Sequence, residues 1–180
     1  MQTARLRTGI IHSAIGCAAA LMMCGASSAW AQEKQKISYK VTAENSKYTQ
    51  RNTIDVGDEP GHQLSLFEIH RTFPSNAPVI NGVKLKETWT RGHADYINSN
   101  GPSTNYTLYV LENGDQFYSY SSTMGQADAA GKRTTVAVGQ IRGGTGKLAA
   151  MKGLVRSMGV SDGKAGFNET QAEIEYWIAK

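Results

Sequence analysis

The stretch 82–98 holds the densest set of side chains able to do chemistry. Period-two alternation puts Val83, Leu85, Glu87, Trp89, Arg91, His93 and Asp95 on one face of an extended strand. Lys84, Lys86, Thr88 and Thr90 take the other face, which reads as solvent-facing. The first face begins apolar and turns charged, the pattern of a barrel interior with a packed bottom and a polar mouth. There Glu87, Arg91, His93 and Asp95 would form a buried network, with acid–base capability at the His93 imidazole. The same residues also read as a salt-bridge ladder that closes the end of a barrel without binding anything.

Two further groups join this candidate pocket. Glu68 and His70 share a face with Leu64 and Leu66, while Phe67, Ile69, Arg71 and Phe73 make the opposite face just as apolar. Which of the two points inward stays open, and a strand apolar on both sides implies that the outer side is covered by another subunit. Tyr106, Tyr109, Tyr118 and Tyr120 cluster in the central hairpin. Tyr118 and Tyr120 are candidates to line a cavity, where a ring packs and a hydroxyl orients a ligand. Cross-strand aromatic pairing explains them equally.

Metal and nucleotide chemistry are not indicated. His62, His70 and His93 are the histidines beyond residue 31, with no H-x-H or H-E-x-x-H spacing, so neither a metal nor a cofactor is expected. The run Gly143-Gly144-Thr145-Gly146-Lys147-Leu148 fails as a phosphate loop, because Leu148 stands where Ser or Thr is needed and Ile141 stands where the first glycine is needed. Gly144-x-Gly146-x-x-Ala149 fits a loose dinucleotide pattern but has no room for the full helix that pattern requires. Gly143, Gly144, Gly146 and Gly153 instead read as a structural corner: strand, tight turn, one short helical turn, strand.

The elements that must position these groups are almost all strands. Segments 37–42, 64–73, 82–98, 103–112, 115–123, 134–142, 154–160 and 170–179 alternate or carry β-rich composition, with Asn81-Gly82, Asn100-Gly101-Pro102, Ala130-Gly131 and Asp162-Gly163 as turn residues. Asn113-Gly114 predicts a two-residue type I′ hairpin turn. Eight antiparallel strands in one domain imply an all-β sandwich or closed barrel.

Residues 1–31 read as a signal peptide. Arg5 and Arg7 supply the positive start, residues 10–23 the apolar middle, and Ala29-Trp30-Ala31 the cleavage site. The apolar run is too short for a stable membrane anchor. Both cysteines of the 180-residue chain, Cys17 and Cys24, lie in this segment, so the mature domain 32–180 has no thiol or disulfide. The formal net charge of +4 includes Arg5 and Arg7; without them 17 basic side chains face 15 acidic ones. With no basic run, nucleic acid is not an expected partner. A periplasmic or extracellular location follows from the leader.

The motif Gly143-Gly144-Thr145-Gly146-Lys147-Leu148-x-x-x-x-Gly153 resembles the GGTG-(basic)-F-x-x-A-x-G signature of dirigent proteins and the related allene oxide cyclase barrels. Asp55-Val56-Gly57-Asp58-x-Pro60-Gly61-His62 is similar to bacterial members of that superfamily. The resemblance covers roughly residues 55–180. It implies an eight-stranded antiparallel, calycin-like barrel with a central cavity, often assembled as a homotrimer. Leu148 departs from the usual Phe, and Met151 from a small residue. No catalytic residue of the plant enzymes carries over, and fold alone does not assign their chemistry.

Three functions are compatible with these features. The first is an exported barrel that binds a small, mostly apolar molecule. The second is a cyclase- or dirigent-type enzyme that steers a reactive ligand in the cavity. The third is a structural module whose barrel is filled by side chains.

Overall fold

The computed structural model describes residues 33–162, 165 and 167–179. The expected leader, with Cys17 and Cys24, lies outside the described residues. Ten strands form: β1 (Gln35–Val41), β2 (Ser46–Asp55), β3 (His62–Thr72), β4 (Val79–Ile80), β5 (Val83–Ile97), β6 (Gly101–Leu111), β7 (Gln116–Ala127), β8 (Lys132–Gly144), β9 (Met151–Asp162) and β10 (Phe167–Ile178). All pairs are antiparallel, in the order β1-β10-β9-β8-β7-β6-β5-β3-β2, and β4 pairs with β5.

The protein is all-β and antiparallel, but its described residues form ten strands where eight were expected, and among them the ladder does not close into a barrel. β2 escaped notice because its sequence, SKYTQRNTID, lacks apolar alternation; nine of its ten residues are exposed. It exists by backbone pairing with β3 alone. β1 and β2 are the two edges, joined by a 3-10 turn at Ala43–Asn45. A side-chain bond ties the edge strand β2 to β10, the neighbour of β1: Asn168 Nδ2 donates to Ser46 Oγ at 3.4 Å.

The sheet is curled, and distant strands meet across its concave face. The Asn81 N–H between β4 and β5 donates to the Tyr176 hydroxyl of β10 at 2.8 Å. Tyr39 of β1 packs edge-on against Phe73, with ring centroids 5.6 Å apart. One end of this concave face is packed solid by Ile80, Leu85, Leu111, Phe117, Leu148, Met151, Ile174 and Tyr176. Each such side chain contributes about 1.5–3 kcal/mol by leaving water. Phe117 stacks on Tyr109 at 4.1 Å and caps the cluster.

The turns differ from expectation in an instructive way. Asn113 does not take positive φ; only Gly114 does, at 86°. Leu111 O accepts from Gly114 N and Leu111 N donates to Asp115 O, which makes a type I turn followed by a glycine bulge. The two-residue type I′ turn is found instead at Asn81-Gly82, with φ of 48° and 82° between the paired residues Ile80 and Val83.

Candidate functional site

The side chains that line the concave face are decided by one inserted residue in β5. Leu85 pairs with Leu111 and Glu87 with Val110, so β5 has one residue too many between them. Such a bulge reverses the alternation beyond it. Leu85 faces the core, and beyond the bulge Thr88, Thr90, Ala94 and Tyr96 face inward with it. Thr88 and Thr90, expected in solvent, are only 3% and 7% exposed.

Above the packed end lies a cavity of about 600 Å³. Its wall is built from short hydroxyl side chains: Ser65 of β3, Thr88 and Thr90 of β5, Ser103 and Thr107 of β6, Ser121 and Thr123 of β7, Thr135 of β8, and Ser157 of β9. Short side chains at inward positions leave the space that Leu and Val fill at the other end. Phe67, Tyr39, Tyr96 and Tyr109 add aromatic surface. Among the described residues, the charged residues of the wall are Arg51, Arg71, Arg133 and Asp162.

Two of these arginines are under-partnered. Arg71 donates from Nη1 to Thr90 Oγ1 at 3.1 Å, while its Nε is buried with no hydrogen-bond acceptor. Desolvation pulls its guanidinium below the ordinary arginine value, opposed by the nearby phenols of Tyr39, Tyr48 and Tyr109. Burial also pushes Tyr39 and Tyr109 upward, so both stay neutral and supply no counter-charge. Arg133 lies over the Tyr96 ring, 3.9 Å from its centroid, and its Nε and Nη2 are buried without an acceptor. Gly125 makes this seat: a Cβ there would collide with the Arg133 guanidinium. Neither arginine forms an ion pair among the described residues.

The residues singled out from sequence come together on the other side of the sheet. None of Glu68, His70, Glu87, Trp89, Arg91, His93, Tyr118 and Tyr120 lines the cavity. Glu87, Trp89, Arg91 and His93 lie beyond the bulge and are turned outward by it; Glu68 and His70 share their face through the pairs Glu68–Arg91 and His70–Trp89. There they form a real cluster. His70 stacks on Trp89 with ring centroids 4.0 Å apart, and its Nε2 lies 2.8 Å from Glu87 Oε2. Arg91 Nε donates to Glu68 Oε2 at 2.6 Å, and Thr49 Oγ1 donates to Glu68 Oε1 at 2.6 Å. The Thr49 hydroxyl and the Arg91 guanidinium hold the Glu68 carboxyl below its usual value. His93 is exposed beside Thr104. Tyr118 is exposed, and Tyr120 sits between Tyr106 and the Arg142 guanidinium. Asp95 is not a partner of Arg91; it pairs with His62 Nε2 at 2.8 Å.

The glycine corner is built as a close approach. Gly143, Gly146 and Gly153 have φ of 146°, 50° and 154°. Gly144 has no positive φ, but a Cβ there would lie 2.5 Å from Gln116 O and 2.8 Å from Leu148 O. The 3-10 turn Gly146–Leu148 buries Leu148 in the core and leaves Lys147 exposed. Asp58, Glu59 and His62 bring three ligand-type atoms within 4.8 Å of one another. Both His62 nitrogens are already engaged, however, Nδ1 by Asp58 at 2.6 Å and Nε2 by Asp95.

Sequence reasoning missed Arg71, Arg133, Tyr96 and the hydroxyl wall. The hydroxyl wall had a signal in the alternation Ser119-x-Ser121-x-Thr123, of which Ser121 and Thr123 line the cavity and Thr123 stands opposite Ser103 of β6. No protein-family model, curated protein or solved structure matches this chain.

Proposed function

We propose that this protein binds a small molecule in the cavity of its curled sheet. The carrying observation is the contrast between the two ends of the concave face: one is filled by Leu, Ile, Met and Phe, the other is an open space of about 600 Å³ walled by hydroxyls. That volume is in the range of small-molecule sites, where a few placed polar groups fix orientation. The ligand is more polar than the mostly apolar one the sequence suggests: Ser65, Thr90, Thr107, Thr123 and Thr135 already hold protein partners, but a wholly apolar guest would set the hydroxyls of Thr88, Ser103, Ser121 and Ser157 against carbon. Binding is preferred to catalysis. Among the described residues the wall carries no histidine, glutamate or lysine, which leaves Asp162 and the phenols of Tyr39, Tyr48, Tyr96 and Tyr109 as its titratable groups besides arginine.

The same reading keeps the signal peptide at 1–31, export, kinship with the dirigent and allene oxide cyclase proteins, and assembly as a homotrimer. An apolar row on the outer face supports association: Met124, Val136 and Met158 are paired neighbours across β7, β8 and β9 and are 58%, 52% and 57% exposed. Exposed apolar surface of this kind is the usual mark of a contact surface.

Native mass spectrometry of the purified protein tests both parts. The expected spectrum is an oligomer carrying a noncovalent adduct of small-molecule mass. Thr107→Trp, which fills the cavity, is expected to lose the adduct. An adduct retained by Thr107→Trp puts binding elsewhere, and no adduct on either protein overturns the binding function.

A further inference from the structure

We propose that the cavity selects a small organic anion, a carboxylate by preference, gripped by Arg71 and guided past Arg133. This rests on the cavity being a binding site, and adds the charge of what it takes. The argument begins with the imbalance of the wall. Among the described residues three arginines and one aspartate line it. A guanidinium carries five N–H donors in a planar fork suited to a carboxylate. Arg71 has one protein acceptor, Thr90 Oγ1, and a buried Nε with none. Arg133 has two buried nitrogens with none. A protein that needed these side chains only for stability would be expected to pair them, since a buried unpaired cation is costly.

The neighbours hold both side chains in place without neutralising them. Tyr96 and Gly125 clamp the Arg133 guanidinium flat, and Thr90 ties down Arg71. Thr90, in turn, is bonded to Thr107 Oγ1 at 3.0 Å. A rigid cation among neutral hydroxyls and phenols in a recess of low dielectric attracts an anion far more strongly than the same group in water. The two arginines are staged along β5: Arg71 meets it at Thr90, and Arg133 at Tyr96, six residues and about 20 Å of strand further on. An anion entering beside Arg133 therefore descends toward Arg71, with its uncharged remainder against Phe67 and Tyr109 and its hydroxyl or keto groups on the Ser and Thr wall.

The test compares acids with their own primary amides, which match in shape but not charge. Calorimetry on the full chain at neutral pH uses benzoate and benzamide, 2-naphthoate and 2-naphthamide, and hexanoate and hexanamide. At least one acid is expected to bind about tenfold or more tightly than its amide, the size of effect a charge-assisted bidentate contact supports. Arg71→Gln should bring acid and amide within about twofold of each other while leaving amide binding in place, and Arg91→Gln on the outer face should change neither. If every amide binds as well as its acid, or if Arg71→Gln keeps the preference, the anion assignment falls while the cavity remains a binding site. If neither acids nor amides bind, both readings fall. Should Arg71→Gln lose the native far-ultraviolet circular dichroism spectrum, Arg133→Gln carries the same expectation.

Discussion

Leu85 and Thr88 lie on the same face of β5 and are both buried, 0% and 3% exposed, although they are three positions apart along an otherwise alternating strand. The bulge between Leu85 and Glu87 is the cause. It sends the charged side chains of β5 outward and the threonines inward, and so sets the chemistry of the cavity.

The first prediction follows from that parity. Leu85→Ala should cost about 2–5 kcal/mol in denaturant unfolding, as for other core leucines. Arg91→Ala, whose side chain is 55% exposed in its pair with Glu68, should shift the unfolding midpoint only slightly. A loss for Arg91→Ala as large as for Leu85→Ala would place Arg91 inside the sheet.

His62 predicts a pH signature. Hydrogen bonds that it donates to Asp95 and then to Asp58 raise its pKa above the ordinary 6.5. A raised histidine value contributes stability that is complete below the unfolded pKa and is lost as pH rises through the folded one. Asp58, lowered from 3.8 chiefly by its bond to His62, contributes above its unfolded value and loses that contribution as pH falls through its folded one. Melting temperature should therefore decline from mildly acid toward alkaline pH, and His62→Gln should flatten the decline. An unchanged slope in His62→Gln would remove this ion pair from the account.

Gly144→Ala should destabilise the corner by about 1–3 kcal/mol, because Gln116 O and Leu148 O belong to the backbone and cannot swing aside. Lys147→Ala should leave the melting temperature unchanged, since Lys147 is exposed at the same turn. Equal effects in a thermal melt would reject a purely structural corner.

Tyr176→Phe tests the curl of the sheet. It removes the acceptor for the Asn81 N–H and the donor to Gln35 Oε1 of β1 while keeping the ring buried at 1% exposure. The expected cost is about 1–3 kcal/mol, the net worth of two such bonds. Hydrogen exchange should quicken at the Asn81 amide ahead of the core of β5. Unaltered exchange there would mean that the link between β4 and β10 does not hold the end of the sheet.

From sequence alone, the all-β class, the positions of eight strands and the tight turn at the glycine run were legible, because alternation and turn residues are local signals. A cluster of Glu68, His70, Glu87, Trp89 and Arg91 was also legible, since residues that alternate along paired strands share a face. Which face that is was not. One extra residue at the Leu85–Glu87 bulge inverts everything after it, and only pairing with β6 reveals the insertion. β2 was invisible for a related reason: its polar side chains carry no alternation, and its existence depends on the backbone of β3. The Asn-Gly signal was local and real, yet tertiary context assigned the type I′ turn to Asn81-Gly82 and gave Asn113-Gly114 a bulge. Last, Arg71 and Arg133 look in sequence like ordinary strand arginines. Only the curl of the sheet turns them toward a shared space lined by hydroxyls, where each keeps buried donors without a protein acceptor.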